Sequence, residues 1–244
     1  MSPLKAFIRM FPGGKALTDR LSVRRRRRKL EKIGDAEARF THIYESNAWK
    51  DEESRSGSGS SFRVTEQVRA AVPELVAELG VETFLDAPCG DYNWFRHIGR
   101  TPAFRYIGGD IVQSMIDANN EAYRSDDTSF MHLDITKDDL PTVNLWMCRD
   151  CWVHLSFDMT ARAMEKCLEI EIDVLLVTSH LNVEENVDIP TGHCRMINLE
   201  LPPYNFPPPV RYIEDADFEG TGKHLGLWRR EDLQAAAGQI LAGY

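Results

Sequence analysis

Three aspartates occupy matching places in the chain. Each follows a short apolar run: Asp86 comes after Thr83–Leu85, Asp110 after Tyr106–Gly109 and Asp134 after Ser129–Leu133. The first opens the turn Asp86-Ala87-Pro88-Cys89-Gly90-Asp91. A glycine in such a turn lets the backbone approach a ligand closely. Asp110 lies about 20 residues beyond that turn, the spacing at which an acid accepts hydrogen bonds from two ribose hydroxyls. Asp134, followed by Ile135, is placed to accept from an exocyclic adenine amine, with the isoleucine against the ring. Three carboxylates together disfavour a phosphate-rich ligand. The first turn also lacks the Gly-rich form that cradles pyrophosphate. A nucleoside without phosphates fits better. The ordinary alternative is three solvated acids at strand ends.

A second group of residues is suited to moving a proton. Catalytic proton transfer near neutral pH most often uses histidine. The segment Cys148-Arg149-Asp150-Cys151-Trp152-Val153-His154-Leu155 follows another apolar run. His154 stands four residues after Asp150, so a helix there would put both on one face. Asp150 would then orient His154 or raise its basicity. His180, at the end of a fifth run, is a second candidate base. His193 is a third, or an acceptor contact instead. Asp150, His154 and His180 are an alternative ligand set for a divalent metal, although no metal is predicted. Cys148-x-x-Cys151 resembles half a zinc site but lacks a second well-spaced pair.

These residues need elements to hold them. The strands expected are Thr83–Leu85, Tyr106–Gly109, Ser129–Leu133, Leu145–Cys148 and Val174–Thr178. Gln113–Tyr123 and Met159–Ile170 are the clearest helices between them. Strands separated by helices imply βαβ units and a parallel sheet, with ligands beyond the carboxyl ends of the strands. Residues 62–80 form an amphipathic helix with Val64, Val68, Ala71, Leu75 and Leu79 on one face. Residues 35–50 also read as helix, with Ala36, Ala38, Phe40, Ile43 and Tyr44 as packing residues. Residues 54–61 are Ser/Gly-rich, and two readings stay open: a flexible linker, or an ordered loop that brings backbone N–H groups to a ligand. Near the end, Met196–Leu201 and Leu225–Arg229 suit an antiparallel pair closing the sheet. The Pro-rich stretch 202–209 between them carries Tyr204 and Phe206.

The chain has 244 residues, enough for one large α/β domain. No apolar run approaches the roughly 18 residues of a transmembrane helix, and no secretory leader is evident. Five cysteines are few for this length, so a reducing cytoplasm is the expected location. Residues 1–34 hold eleven Lys and Arg against two acids, including the unbroken run Arg24–Lys29. The arm is thus +9 and the remainder −18, from a total of −9. An acidic body argues against nucleic acid as its partner. The arm reads as a solvated, disordered segment, as a helix packed on its own domain, or as a contact with the inner face of an anionic membrane. Three parts result: the arm 1–34, a segment 35–61 and a domain 62–244.

Asp86 to Gly90, Asp110 and Asp134-Ile135 resemble the motifs of class I S-adenosylmethionine (SAM)-dependent methyltransferases, over residues 62–230. The family's loop is Asp-x-Gly-x-Gly-x-Gly, whereas here Pro88 and Tyr92 replace the outer glycines. The resemblance implies an α/β, Rossmann-like, seven-stranded, mostly parallel sheet with helices on both faces and an antiparallel last strand. It implies SAM as cofactor. Asp86, Ala87, Pro88 and Gly90 would pass beside it, Asp110-Ile111 would bind its ribose and Asp134-Ile135 its adenine. Arg149 and Arg195 are candidates to hold the SAM carboxylate or an anionic acceptor.

Two further segments, Ile43–Gly57 and Asp188–Pro208, are similar to those of small bacterial methyltransferases linked to glycan or glycolipid modification. That likeness implies that the first segment, with Trp49, lids the SAM site. It implies that the second, with His193, Arg195 and Tyr204, helps form the acceptor pocket. The implied reaction is O-methylation of a sugar or glycoconjugate. Methylation of another small molecule at O or N, and non-catalytic SAM binding, are the alternatives. A homodimer is among the open assemblies.

Overall fold

The computed structural model describes residues 28–100, 103–217 and 220–240, with only the backbone for 238–240. Residues 1–27, which carry most of the basic arm, lie outside the described residues, as does the reading made of them. The arm's described end packs on the domain: Leu30 is buried, and Arg39 donates to the Ile33 carbonyl at 2.9 Å.

Seven strands form one sheet: β1 Thr83–Asp86, β2 Arg105–Asp110, β3 Thr128–His132, β4 Val143–Cys148, β5 Ile172–His180, β6 Arg211–Glu214 and β7 Lys223–Arg229. Their spatial order is β3-β2-β1-β4-β5-β7-β6. β1 to β5 pair in parallel, while β7 runs antiparallel to both β5 and β6. The helices are α1 Ala36–Glu45, α2 Glu66–Leu79, α3 Gln113–Tyr123, α4 Phe157–Glu169 and α5 Arg230–Ile240.

Covered parallel strands are apolar on both faces, and β4 shows this residue by residue. Trp146 and Cys148 enter one core with Met164 and Cys167 of α4 and Leu233 of α5. Leu145 and Met147 enter the other, with Val68, Val72 and Leu75 of α2 and Ile116 of α3. The sheet order reverses between β1 and β4. That switch point opens a crevice at the carboxyl ends of the strands, where ligands of such sheets bind.

The tail differs from expectation. Met196–Leu201 is not a strand; β7 pairs instead with Arg211–Glu214, beyond the prolines. The backbone of 197–199 is satisfied mainly by side chains. Ser179 Oγ accepts from the Leu199 N–H at 3.0 Å, and Asn186 both accepts from and donates to the Asn198 backbone. Bonds of that kind leave no ladder to extend. Leu79 is exposed, because α2 begins only at Glu66 and its inward stripe ends at Val76. The sequence reading also missed α5, whose first turn is acidic.

Candidate active site

A cavity of about 530 Å³ lies over the ends of β1 to β5. Its size falls within the roughly 300–1,000 Å³ of small-molecule sites. Asp86, Asp110 and Asp134 all line it, as do Pro88, Gly90, Ile111 and Ile135, whereas Ala87 is buried in the core and does not. The three strand-end acids therefore do converge.

Each acid has its own environment. Asp86 accepts from the Tyr106 hydroxyl at 2.8 Å, and burial pushes its pKa up to about 8. Asp110 accepts one backbone N–H on each oxygen, from Gly90 and from Val112, both at 3.1 Å. Burial still raises its pKa, to about 6, because it outweighs those N–H groups. Asp134 accepts from the Thr136 N–H at 3.0 Å and the Thr136 hydroxyl at 2.6 Å, and pairs with Lys137 at 2.9 Å. Burial opposes its ionisation, but Thr136 and Lys137 together hold its pKa below the usual value.

The roof comes from before the sheet. Ala36, Phe40 and Tyr44 of α1, Trp49 and the loop 55–60 line the cavity from above. The Ser/Gly stretch is an ordered loop and not a linker. Asp91 clasps it, accepting from the Ser54 hydroxyl at 2.9 Å, the Arg55 N–H at 2.8 Å and the Ser56 hydroxyl at 3.2 Å. Gly90 sits beneath with φ +58°, and a Cβ there would stand 2.4 Å from Ser56 Oγ. A side chain at this position would displace the Ser56 side chain from Asp91. From the far side, Arg149 Nη1 donates to the Gly59 carbonyl at 2.9 Å.

At the ends of β4 and β5 the expected dyad takes another form. Residues 150–154 are not an α-helix: Asp150 has φ +53° and Trp152–His154 is a single 3₁₀ turn. The four-residue spacing therefore does not stack Asp150 on His154. The Asp150 carboxylate is taken up by Lys223 Nζ at 2.8 Å and Arg149 Nη1 at 3.3 Å. Burial opposes its ionisation, yet those two cations hold its pKa well below the carboxylate range. His154 is oriented instead by a backbone carbonyl: its Nδ1 lies 2.7 Å from the His193 oxygen. With Nδ1–H donating there, Nε2 is the basic nitrogen. The ring lies 5.7 Å from that of Trp49 and lines the cavity. His180 lines it too, and burial lowers its pKa.

The candidate acceptor and carboxylate residues are placed differently from expectation. Arg149 is buried and makes two 2.9 Å hydrogen bonds to Asp215, so its charge is already compensated. Arg195 reaches the cavity wall, but its guanidinium donates to the Leu155 carbonyl and, at 2.8 Å, to the Tyr204 hydroxyl. Tyr204 is buried in the core, edge-on to Phe157, and does not line the cavity. His193 lies outside the cavity lining, with Nε2 3.7 Å from Glu31. It contributes its carbonyl and not its ring. Among the described residues no group of three His, Cys, Asp or Glu is placed to hold a metal, so Asp150, His154 and His180 do not form such a set.

Sequence reasoning missed Lys223, Asp215 and the part that Asp91 plays in holding the loop. Lys223 lies 73 residues from Asp150, and nothing in composition or spacing pairs them.

No family model and no curated protein matches the chain. Solved structures do. Human N-acetylserotonin methyltransferase in complex with SAM aligns with TM-score 0.57 and 15% identity, over 80% of this chain and 60% of that one. The N-methyltransferase NodS from Bradyrhizobium japonicum, with S-adenosyl-L-homocysteine (SAH), aligns with TM-score 0.55 and 12% identity, over 77% and 98%. Magnesium protoporphyrin IX methyltransferase from Synechocystis, with bound SAM, aligns with TM-score 0.53 and 12% identity, over 80% and 97%. The Rossmann-like methyltransferase fold of this chain is thereby shown.

Proposed function

We propose that this protein binds SAM in the 530 Å³ cavity and transfers its methyl group to a hydroxyl of a sugar or glycoconjugate. The observation that carries the reading is the convergence of Asp86, Asp110, Asp134 and Gly90 on one cavity in a methyltransferase fold. The donor set suits the cofactor. Asp110 keeps a lone pair on each oxygen for a ribose hydroxyl. Asp134 and Ile135 offer a carboxylate and an apolar face to adenine, and Asp86 a carboxyl to the amino-acid end. Gly90 lets the backbone pass beside it.

When bound, SAM supplies an electrophilic methyl carbon. The chain must then exclude water, align the acceptor and remove its proton. The clasped loop and Trp49 exclude water. His154, with Nε2 basic and its ring held by the His193 carbonyl, takes the proton from the acceptor oxygen. Asp150, held ionised, accepts a hydrogen bond from the acceptor and does not act as the base.

The test is calorimetric titration with SAH, followed by transfer of labelled methyl to fractionated small molecules and glycans, with and without EDTA. Binding and label in a glycan fraction support the reading. Label confined to amines turns it into N-methylation, and binding without transfer into a non-catalytic role. Failure of the folded protein to bind SAH ends it. We further propose that the arm 1–34 brings the enzyme to an anionic membrane; absence of salt-sensitive sedimentation with anionic liposomes would remove that role. No helix among the described residues is long and apolar enough to cross a membrane.

A further inference from the structure

A second cavity, of about 880 Å³, adjoins the first. Ser58, Gly59, His180, Met196 and Lys223 line both, so they form the passage between the two. The outer chamber has walls of its own, Ser61, Val64, Ala216 and Thr221 beside four acids and two cations. None of the three strand-end acids lines it.

Lys223, in the passage, belongs to a closed set of charges on its inner side. Lys223 Nζ stands 2.8 Å from Asp150 and 3.0 Å from Asp215. Arg149 stands 2.9 Å from Asp215 and 3.3 Å from Asp150. Two cations face two carboxylates, and the net charge is zero. An anionic group entering here finds no uncompensated cation and would lose its hydration without return. A neutral hydroxyl or amine finds partners that accept hydrogen bonds. Asp150 is partly exposed to the cavity. The His180 ring is oriented by Nδ1, 3.1 Å from the Ile197 carbonyl.

We infer that the outer chamber is the acceptor's entry and binding site, and that the acceptor presents an uncharged O–H or N–H group to the passage. This rests on the reading of the inner cavity as the cofactor site, and it names the side from which the second substrate comes. The cofactor would enter under the loop and α1 and occupy the part of the inner cavity over Asp86, Asp110 and Asp134, leaving the outer chamber open and the end beside Asp150 and His154 to the acceptor's reacting group.

The test uses the full-length protein with Cys151→Ser and Cys194→Ser, which remove the accessible native thiols of the inner cavity, and one added thiol at a time, Ser61→Cys in the outer chamber or Ile111→Cys in the inner cavity. Saturating SAH is expected to slow alkylation of the Ile111→Cys thiol by about tenfold or more, and that of the Ser61→Cys thiol by less than about twofold. Protection of both thiols would assign the outer chamber to the cofactor and overturn the inference. Capping the Ser61→Cys thiol with a bulky maleimide should leave SAH affinity within about twofold and cut methyl transfer about tenfold or more. Undiminished transfer after capping would overturn it as well. Titration of the SAH-bound protein with inorganic phosphate should leave the His180 imidazole NMR signal in place, and a saturable shift would refute the neutral passage. Absence of SAH binding to the unmodified protein would instead refute the cofactor reading itself.

Discussion

Asp110→Asn should weaken SAH binding by about 30- to 1,000-fold, and the number follows from lone pairs. Each Asp110 oxygen already accepts one backbone N–H, at 3.1 Å, and keeps one further position for a ribose hydroxyl. An asparagine has a single acceptor atom. Its amide must face either the Gly90 or the Val112 N–H, donor against donor. A buried N–H left unsatisfied costs about 1–3 kcal/mol, and a hydrogen bond to a charged group contributes about 1.5–3 kcal/mol. Part of the N–H cost falls on the free protein and does not enter the affinity. Some 2–4 kcal/mol remains, at about 1.4 kcal/mol per factor of ten. The pH profile gives an independent check. Burial raises the free carboxyl to about pKa 6, so binding that needs the carboxylate must release its proton below that pH. Affinity is therefore full above pH 6 and falls about tenfold per pH unit below it. Asp86 is retained in the variant, but the Asp110 charge helps to raise its pKa to about 8, so Asp110 is read from the part of the curves below about pH 6. Calorimetry from pH 5 to 8 measures both quantities. A loss under threefold, or identical pH curves for the two proteins, would refute the assignment of Asp110 to the ribose.

Asp91→Ala removes the acceptor of three donors from the loop, so hydrogen exchange of the 54–60 amides should accelerate by about tenfold or more, while exchange in β4 stays unchanged. Asp86 has a folded pKa raised to about 8, so the folded state holds an extra proton between pH 4 and 8 and stability falls as pH rises through that window. The drop is on the order of 5 kcal/mol, and urea titrations of Asp86→Asn at pH 5 and pH 8 should find it largely abolished. His154→Ala should lower turnover on a hydroxyl acceptor by about 10²- to 10⁴-fold with SAH affinity unchanged; an unaffected rate would point to an amine acceptor. Asp215→Ala leaves the buried Arg149 without its two-point partner and should cost about 3–5 kcal/mol in chemical denaturation.

The parts of the site that were legible in the sequence are those set by local pattern. Strands buried on both faces read as continuous apolar runs, and their carboxyl ends mark where ligands lie. Asp86, Asp110 and Asp134 could be picked out for that reason, and their convergence follows from sheet order alone. Most strands extend one or two residues beyond the apolar runs, where charged or polar residues such as Arg105, Asp110 and His180 complete the ladders, while β3 stops one residue short, at His132. What could not be read was set by long-range pairing. The Asp150 and His154 spacing implied an α-helical face, but the left-handed backbone at Asp150 breaks that periodicity, and aspartate's tolerance of that conformation does not single out one position in the chain. Arg195 and Tyr204 looked like binding residues from their types. They instead satisfy one another in the core, where a buried guanidinium needs acceptors. The Ser/Gly loop was ambiguous by composition and is settled by Asp91, a residue about 35 positions later.

The set Arg149, Asp150, Asp215 and Lys223 is the least legible feature and the most informative about function. Buried ion pairs seldom stabilise a fold relative to apolar residues of the same volume, because desolvating each charge costs several kcal/mol. Asp215 is fully buried and Arg149 nearly so, so these charges are not kept for solubility. Asp150, moreover, adopts a backbone conformation unfavourable for residues other than glycine, which persists only where neighbours over-determine it. Those neighbours are identifiable: Lys223 and Arg149 on the carboxylate, and the Thr178 hydroxyl, which accepts from the Asp150 N–H at 2.8 Å. The ends of β4, β5 and β7 thus converge to hold one ionised oxygen pair in the wall of the inner cavity, beside the passage. An arrangement that costs stability and fixes a single acceptor group is the kind expected where a substrate hydroxyl must be aligned before its proton is removed.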